Sequence, residues 1–411
     1  MRILLIHQYF LEKNDSGGSR FNEMTRVWGE QGIYVTVLAG MIHANASGKA
    51  EKYKGEYFVC DRYDDKVEVI RCHVSESYNV NFIGRLWGYF SFVFFSLWAG
   101  VFKAKGKYDL ILVTSPPLFV GITAYLLSKV KRIPYVFEIR DLWPESAIDT
   151  GVVTNKLIIR ISYWLEAFVY KHARLINVLT PAFRDTLLMK KNVPASKLIY
   201  IPNAADFSLT EELLKTFDAS SFRKEIGVKE DTLLITYVGA HGVANHLIQL
   251  IDVAEQIKDR PVLFLLIGDG MQKKMLKEET QKRGLTNVRF VDPVPKKEVF
   301  KYILASDLGA SVLKKVDTFK TVYSNKTFDY MACKKPILMA IDGVSRQLVE
   351  EAEAGVYVEP ENVKDYIEKI DFYLQNRSQL IIQGLRGYEY AKTSFDREKL
   401  AQQYLEHLKQ I

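Results

Sequence analysis

A lysine and a carboxylate lie three residues apart where a loop enters a helix, within residues 323–332. Ser324 or Asn325 suits the N-cap, so free backbone N–H groups and the positive end of the helix dipole favour an anion. Lys326 adds a full charge in the first turn, and Asp329 lies on the same side of the helix. The pair suits a nucleotide diphosphate, with the cation on phosphate and the carboxylate on ribose. An ion pair on the protein surface is the alternative interpretation.

The longer pattern Ser-Asn-Lys-x-Phe-Asp-Tyr-Met-Ala-x-x-Lys-Pro, residues 324–336, resembles the donor-site signature of family 4 glycosyltransferases, which have the GT-B fold. Within that family it is most similar to bacterial surface-polysaccharide transferases, represented by the L-fucosamine (N-acetyl-fucosamine) transferases of O-antigen and capsule synthesis. The resemblance implies that Asp329, where relatives more often have Glu, binds the ribose of a nucleotide sugar. Many members also carry a Glu eight positions earlier, where this chain has Thr321.

The composition is that of a globular protein large enough for two cores, with 411 residues of which 48% are hydrophobic and 26% charged. Its 3 cysteines are too few for a disulfide framework and lack zinc-ligand spacing, which favours a reducing cytoplasm. The apolar residues 1–10 are too short for a signal peptide and are typical of a buried parallel strand. Residues 1–205 hold 26 basic and 18 acidic side chains, so we expect this half to face an anionic partner.

Short apolar strands alternate with helices along the whole chain, which predicts an α/β protein with open parallel sheets. The pattern restarts after Ile201-Pro202-Asn203, so we expect two doubly wound, Rossmann-like domains in series. In a GT-B protein these domains face a central cleft. We assign 1–203 to an N-terminal acceptor-binding and membrane-facing domain, 204–385 to a C-terminal nucleotide-sugar-binding domain, and 386–411 to a C-terminal helix that crosses back. The predicted strands are 3–6, 34–38, 67–72, 110–114, 135–139, 175–179, 198–201, 233–238, 262–267, 288–291, 308–312, 336–340 and 356–358.

A pair of glycines follows the first strand and opens a helix. Gly17 and Gly18 would let the backbone approach a ligand, and Arg20 suits a bidentate phosphate contact. A plain flexible turn explains the glycines equally well. In the family that the chain resembles, this loop lies near the donor phosphates or the acceptor.

Three loops of the second half complete the predicted donor site. The resemblance places the loop 239–245 and the turn 268–270 beside the donor, and the segment 292–295 at the nucleobase, which its backbone would read. Relatives often carry an Arg/Lys pair in the first of these loops, and this chain does not, so the diphosphate charge falls on Lys326 and backbone N–H groups. His241 is either a neutral donor or an ordinary exposed loop histidine. The donor-binding residues that we assign here are Gly239, Gly242, Asn245, Gly268, Gly270 and Val294.

Residues 86–102 form an apolar run without a charged side chain, preceded by Arg85 and followed by Lys103, Lys105 and Lys107. The 17 positions fall short of the roughly 20 that a spanning helix needs. A buried domain helix and a helix in the membrane interface are both compatible with the run, with the tryptophans at headgroup level and the lysines on anionic lipid. A transmembrane span or a dimer face are further alternatives.

A buried strand ends in Glu138-x-Arg140-Asp141, which places two acids and a cation at the carboxyl edge of the first sheet. Buried charges must pair, so an ion-pair network that holds the loop is one interpretation. In the other interpretation, Asp141 orients an acceptor hydroxyl, with Glu138 as the second choice for this role, and Arg140 binds phosphate. The following Asp-Leu-Trp-Pro-Glu-Ser resembles the polysaccharide branch, at the position where other members carry a catalytic His-Asp.

The sequence therefore predicts a retaining glycosyltransferase that moves a sugar from a nucleotide donor, expected to be a UDP-activated N-acetylated deoxyamino sugar, to a polyprenyl-diphosphate-linked acceptor. The resemblance implies no metal and no other cofactor. Catalysis would depend on positioning and on stabilisation of the leaving diphosphate by Lys326. We expect a peripheral protein on the cytoplasmic face of the inner membrane, and no nucleic-acid partner because the basic residues form no stripe. A UDP-sugar 2-epimerase of the same fold and a non-catalytic membrane-associated scaffold are the alternatives.

Overall fold

The computed structural model describes residues 1–13, 15, 20–42, 51–79, 82–149, 151 and 153–411. These residues form two compact units. The first comprises Met1–Lys13, Ser19–Pro202 and Glu398–Ile411, and the second contains Asn203–Arg397. The division at Pro202 falls beside the predicted boundary, where the apolar strand gives way to Pro and Asn.

The first unit is built on eight strands and six helices, followed much later by the last helix of the chain. The strands are β1 (Arg2–Ile6), β2 (Tyr34–Gly40), β3 (Phe58–Asp64), β4 (Val67–Cys72), β5 (Leu110–Ser115), β6 (Tyr135–Ile139), β7 (Leu175–Val178) and β8 (Leu198–Tyr200). The helices are α1 (Arg20–Glu30), α2 (Phe82–Trp98), α3 (Val120–Lys131), α4 (Glu145–Asp149), α5 (Lys156–His172) and α6 (Pro181–Met189).

The sheet of the first unit has the order β3-β4-β2-β1-β5-β6-β7-β8. Its described strand pairs are parallel except for β3 with β4. The central strands are buried on both faces, as β1 and β5 show with their wholly buried apolar residues. Because consecutive crossovers in one direction are right-handed, α2, α3 and α5 lie on the same face of the sheet. The carboxyl ends of β1, β5 and β6 meet at one edge, where polar residues follow each strand.

The second unit has six strands: β9 (Leu233–Val238), β10 (Val262–Ile267), β11 (Val288–Val291), β12 (Leu308–Val312), β13 (Ile337–Ala340) and β14 (Gly355–Tyr357). They form a parallel sheet in the order β11-β10-β9-β12-β13-β14. Its helices are α7 (Phe207–Thr216), α8 (Ala219–Glu225), α9 (Ile248–Gln256), α10 (Lys273–Lys282), α11 (Lys296–Ala305), α12 (Asn325–Ala332), α13 (Val344–Glu351), α14 (Val363–Gln375) and α15 (Ser378–Ser394). The last helix, α16 (Arg397–Lys409), belongs with the first unit from Glu398 onward.

Two features differ from the sequence-based expectation. Strand β3 was not predicted, because it is an edge strand whose sequence FVCDRYD is mostly exposed and lacks an apolar run. The return to the first unit begins at Glu398 and not at 386, since α15 continues to Ser394 on the second unit. Gly387 allows that packing, because a Cβ there would lie 2.8 Å from the Cβ of Ala354.

Candidate active site

Helix α12 is anchored to the second sheet by Tyr330, whose side chain is fully buried. Its hydroxyl accepts from the backbone N–H of Val238 at 3.1 Å and lies 3.1 Å from the carbonyl oxygens of Thr236 and Ala310. The ring occupies the space over Gly309, where a Cβ would come within 2.3 Å of it. These contacts join α12 to β9 and β12, and so fix the start of the helix at the carboxyl end of β9.

The ammonium group of Lys326 lies beside the loop that follows β9. Its Nζ is 4.9 Å from the ring centroid of Tyr237 and donates to the Ser324 hydroxyl at 3.3 Å. Its Cε is 3.4 Å from where a Cβ on Gly239 would stand. Burial lowers the pKa of Lys326 to about 8, although the carboxylate of Asp329 acts in the opposite direction. Lys326 is thus a partly desolvated cation, charged at neutral pH, next to a glycine backbone.

Ser324 is the N-cap residue of α12, and Asn325 is the exposed first residue of the helix. Asp329 is half-buried one turn further on. The structure therefore brings the predicted motif residues together at one helix entrance.

The glycines at the ends of β9 and β10 allow their loops to touch. A Cβ on Gly268, whose φ is +140°, would lie 1.9 Å from the carbonyl oxygen of Gly239. A Cβ on Gly270, whose φ is +155°, would lie 2.7 Å from the backbone of His241. The N–H of Asn245 donates to the carbonyl of Gly242 at 3.1 Å, which closes a short turn before α9. The five glycine and asparagine positions predicted for the donor thus share one edge with Lys326, whereas Val294 lies further along.

Lys273 connects this edge to the loop after β11. Its Nζ donates to the carbonyl oxygen of Gly268 at 2.7 Å and to Asp292 Oδ1 at 2.6 Å. Val294 follows on that loop and packs, half-buried, against the small apolar cluster that contains Leu263 and Leu265. The nucleobase role predicted for Val294 remains a prediction.

His241 is not an exposed loop histidine, because its side chain is completely buried. The ring lies 6.1 Å, centroid to centroid, from both Tyr237 and Phe290. Burial and the nearby cation Lys273 lower the pKa of His241 to about 4. The imidazole is therefore neutral at physiological pH.

Arg20 and Glu138 form a buried ion pair in the first unit. Arg20 Nε donates to Glu138 Oε1 at 3.0 Å and Arg20 Nη2 to Glu138 Oε2 at 3.1 Å, and the guanidinium also donates to the carbonyls of Ile201 and Pro202. Asn177 Nδ2 donates to Glu138 at 2.9 Å. Glu138 is thus paired with Arg20, and the predicted network of Glu138, Arg140 and Asp141 stays a prediction. The structure does not support Arg20 as a phosphate ligand or Glu138 as an acceptor base, because both charged groups are already engaged and are buried.

Asp141 remains the candidate at the carboxyl edge of the first sheet. Its Oδ2 accepts from the Ser146 hydroxyl at 2.7 Å. Burial raises the pKa of Asp141, while the hydrogen bonds from Ser146 and the N–H of Leu142 lower it. Burial, followed by the cations Arg140, Arg71 and Arg20, holds the pKa of His7 well below its usual value.

Sequence reasoning missed Tyr237 and Tyr330, which shape the Lys326 environment. The position of Tyr330 directly after Asp329 within the motif was a partial signal for its role. Its partners on β9 and β12 are distant in sequence, so the contacts themselves could not be predicted. The predicted residues Gly17 and Gly18 lie outside the described residues. Among the described residues, no group of three or more His, Cys, Asp or Glu side chains is placed to hold a metal ion.

Two families of known proteins match the chain along most of its length. Residues 17–204 match the family described as "Glycosyl transferase 4-like domain", and residues 218–389 match "Glycosyl transferases group 1". The chain is therefore a glycosyltransferase, and its two parallel-sheet α/β units have the GT-B fold.

Individual relatives agree with this assignment. The chain is 22% identical over 416 residues to "Putative colanic acid biosynthesis glycosyl transferase WcaI" of Escherichia coli K12, with 100% of each chain covered. Among solved structures, it resembles the sucrose-phosphate synthase of Thermosynechococcus elongatus with a TM-score of 0.74 and 16% identity, over 100% of this chain and 98% of that one. It resembles Anabaena HepE in complex with UDP-glucose with a TM-score of 0.71 and 18% identity over 100% of both chains.

Proposed function

We propose that this glycosyltransferase takes its sugar from a UDP-activated donor bound by the second unit. The observation that carries the proposal is the half-buried Lys326 ammonium beside the backbone of Gly239 at a helix entrance. A desolvated cation and a glycine loop together suit a diphosphate, and Asp329 suits the ribose hydroxyls. Solved complexes of the similar protein HepE contain UDP, UDP and glucose, or UDP-glucose, which supports this choice of nucleotide.

The transferred sugar in this proposal is an N-acetylated deoxyamino sugar, and the reaction retains the anomeric configuration without a bound divalent metal. The motif of residues 324–336 supports the sugar class through its resemblance to the fucosamine transferase branch. Lys326 would supply the charge that stabilises the leaving diphosphate. The neutral, buried His241 is placed behind the same loop and would add no charge.

The acceptor in this proposal is a polyprenyl-diphosphate-linked sugar used in surface polysaccharide synthesis. Arg140, half-buried at the carboxyl end of β6, would attract an anionic group to this edge of the first sheet. Asp141 at the same edge would orient the acceptor hydroxyl. The similarity to a protein named for colanic acid biosynthesis supports a role in polysaccharide assembly.

A lipid-linked acceptor requires access to a membrane, and helix α2 offers a surface for it. Among the side chains of α2 whose exposure the structure describes, the exposed ones are large aromatics at helical spacing: Trp87, Phe90, Phe94 and Trp98. The exposed Phe102 continues this spacing in the π-helical turn Ala99–Lys103. The opposite face carries small buried residues, and a Cβ on Gly100 would lie 2.4 Å from Leu127 of α3. By length and composition alone, Leu86–Lys103 could cross a membrane, but this window is 28% buried within the first unit. The amphipathic arrangement favours a helix that lies in the interface.

Neighbouring helices extend the apolar surface. The α5 residues Leu157 and Trp164 are 65% and 64% exposed, and Val130 of α3 is 60% exposed. Tyr125 of α3 contacts Phe168 of α5 at a centroid distance of 4.7 Å, so the two helices are direct neighbours.

The charge on these three helices is of one sign. Segments 82–103 and 120–131 contain no Asp or Glu, and α5 contains only Glu166, whose side chain is 2% exposed. Exposed cations occur on or directly after the helices, at Lys103, Lys105, Lys107, Lys129, Arg132, Lys156, Arg160 and Lys171. Aromatic side chains with lysines and without competing acids suit an anionic bilayer. These observations support our proposal that the protein is peripheral on the cytoplasmic face of the inner membrane.

The donor and acceptor proposals are tested with purified protein, a panel of UDP- and GDP-sugars, and a prenyl-diphosphate-linked acceptor, with and without EDTA. Transfer from a UDP-N-acetyl-deoxyamino sugar, unaffected by EDTA and with retained configuration by NMR, is the expected result. Conversion of the UDP-sugar without any acceptor would indicate an epimerase instead, and failure of all UDP-sugars with turnover of a GDP-sugar would refute the nucleotide assignment.

The membrane proposal has its own test, which does not depend on turnover. Vesicles of phosphatidylglycerol and neutral lipid are sedimented with the wild type, with Trp87→Ser/Trp98→Ser, and with the control Tyr34→Ser, which alters an exposed aromatic on β2. Partial burial of each tryptophan in lipid is worth about 1 kcal/mol or more, so the double variant should bind at least about tenfold more weakly. Equal binding of the wild type and the double variant would refute the assigned surface.

A further inference from the structure

Behind Asp141 lies a cluster of buried ionisable side chains that the proposed mechanism does not use. Lys191, just after α6, donates through Nζ to Glu145 of α4 at 2.5 Å and to Glu166 of α5 at 2.6 Å. The exposed fractions of the three side chains are 13% for Lys191, 27% for Glu145 and 2% for Glu166. One ammonium group therefore joins three separate helical elements in the interior of the first unit.

The cluster is connected to Asp141 through one turn of the chain. Ser146 follows Glu145 directly, and its hydroxyl donates to Asp141 Oδ2 at 2.7 Å. The N–H of Ser146 donates to the carbonyl of Leu142 at 2.8 Å, which closes the turn between the two residues. Lys191 fixes this turn from the other side, because it holds Glu145 against Glu166 on α5. Displacement of Glu145 would therefore move the hydroxyl that orients Asp141.

The cluster has more negative than positive groups. Lys191 faces the carboxylates of Glu145 and Glu166, and the Glu145 charge also acts on Asp141. Burial raises the pKa of Glu166 to about 7, opposed by Lys191 and reinforced by Glu145. Tyr170, which is buried on the same helix, hydrogen-bonds to Glu166. Below this pH, Glu166 is neutral and Lys191 is balanced by Glu145 alone. Above it, an additional buried negative charge competes with Glu145 for the ammonium.

We propose that Lys191 and Glu166 are positioning residues for Asp141: Lys191 holds the turn that sets Ser146 against Asp141, and protonation of Glu166 leaves Lys191 to Glu145 alone. The inference rests on the proposed function, in which Asp141 orients the acceptor. According to this inference, residues outside the donor site make the position of Asp141 depend on pH. Lys191 holds Glu145 most firmly when Glu166 is protonated. The turnover rate should therefore decline as Glu166 ionises.

The test uses Lys191→Met, Lys191→Arg and Glu166→Gln in the full-length protein, with Lys190→Met as the matched control because Lys190 is exposed beside Lys191. Lys191→Met should lower kcat at least tenfold and leave the donor KM unchanged, and Lys191→Arg should recover part of the loss. Glu166→Gln should keep kcat within threefold at pH 6.5, while the decline of kcat that the wild type shows near pH 7 should be absent.

A second measurement separates this inference from the proposed function. The pKa of Asp141 is followed by carboxyl ¹³C NMR, with its signal assigned by its loss in Asp141→Asn. Lys191→Met should raise that pKa, because Glu145, whose charge already raises it, loses its cationic partner. Glu166→Gln should leave it unchanged below pH 7, where Glu166 is already neutral. An active Asp141→Asn variant would contradict the proposed role of Asp141, yet leave this titration test intact. If folded Lys191→Met and Glu166→Gln match the wild type in both kcat profile and Asp141 titration, the inference is wrong.

Discussion

Replacement of Lys326 by Met should stabilise the protein and at the same time remove donor binding. The ammonium of Lys326 is partly desolvated, lies over the Tyr237 ring and has a neutral hydroxyl, that of Ser324, as a hydrogen-bond partner. In the free protein this charge is held at a cost, which is why burial lowers its pKa to about 8. A methionine of similar length would keep the contacts of the side-chain stem and remove the charge.

The magnitude follows from the pKa. The fall from 10.5 to about 8 shows that the charged form is disfavoured in the folded state. At about 1.4 kcal/mol per pKa unit this corresponds to at most about 3.5 kcal/mol, and partial solvent access reduces it to about 1–3 kcal/mol. The folded-state pKa is the lower one, so the penalty is complete below pH 8 and disappears as pH rises toward 10.5. Loss of charge-assisted bonds to a diphosphate should cost about 2–4 kcal/mol of binding, or about 30- to 1000-fold in Kd.

The assays are urea unfolding and calorimetric titration with UDP, both at pH 7. Lys364→Met is the control, because Lys364 is an exposed lysine on α14 of the same unit and should change neither quantity. Lys326→Met should unfold at higher urea concentration and bind UDP much more weakly. An unchanged UDP affinity would refute the diphosphate assignment. A less stable variant with normal affinity would show that Lys326 is a structural residue instead.

Three further predictions concern the same site. Asp329→Asn should weaken UDP at least tenfold and leave inorganic pyrophosphate unchanged in calorimetry, since only UDP has a ribose; equal losses for both would contradict the ribose assignment. The affinity for UDP should be level below pH 8 and fall above it, because the free protein then loses the Lys326 charge; an affinity that stays level to pH 10 would count against that cation. Gly268→Ala should lower the free energy of unfolding by about 2 kcal/mol or more and weaken UDP, because its Cβ would stand 1.9 Å from the Gly239 carbonyl oxygen; a fully stable, fully binding variant would show that the two loops need not touch.

The buried strands were predictable to within two residues because their apolar runs are continuous and interrupted by turn residues. Strands β4, β6, β9, β10, β11 and β12 have the predicted bounds. The edge strand β3 was missed for the opposite reason, since exposed strands alternate polar residues and need no apolar run. Periodicity therefore identifies the elements that are covered on both faces and misses those that are not.

The ion pair of Arg20 and Glu138 shows where local reasoning about the site fails. The residues are 118 positions apart, and each was assigned a separate ligand from its own loop. Only the sheet order, which places β6 near β1 with β5 between them, brings them into contact. The relative position of Lys326 and Asp329 could be predicted, because both residues are on one helix and lie three residues apart.

The composition of helix α2 is compatible with both a core helix and a helix in a membrane interface. The spacing of its residues shows which face of the helix packs against the protein. The run of residues 86–102 has no charge, so hydropathy alone does not separate a core helix from one in a membrane interface. Small residues occur in this segment at Gly88, Ser96 and Gly100, and each is buried. Since small residues permit close helix packing, their recurrence at multiples of four marks the face toward the protein and leaves the aromatic stripe on the other side. The five exposed aromatics beside lysines are therefore the observation that supports the membrane surface proposed above, and the vesicle experiment tests it.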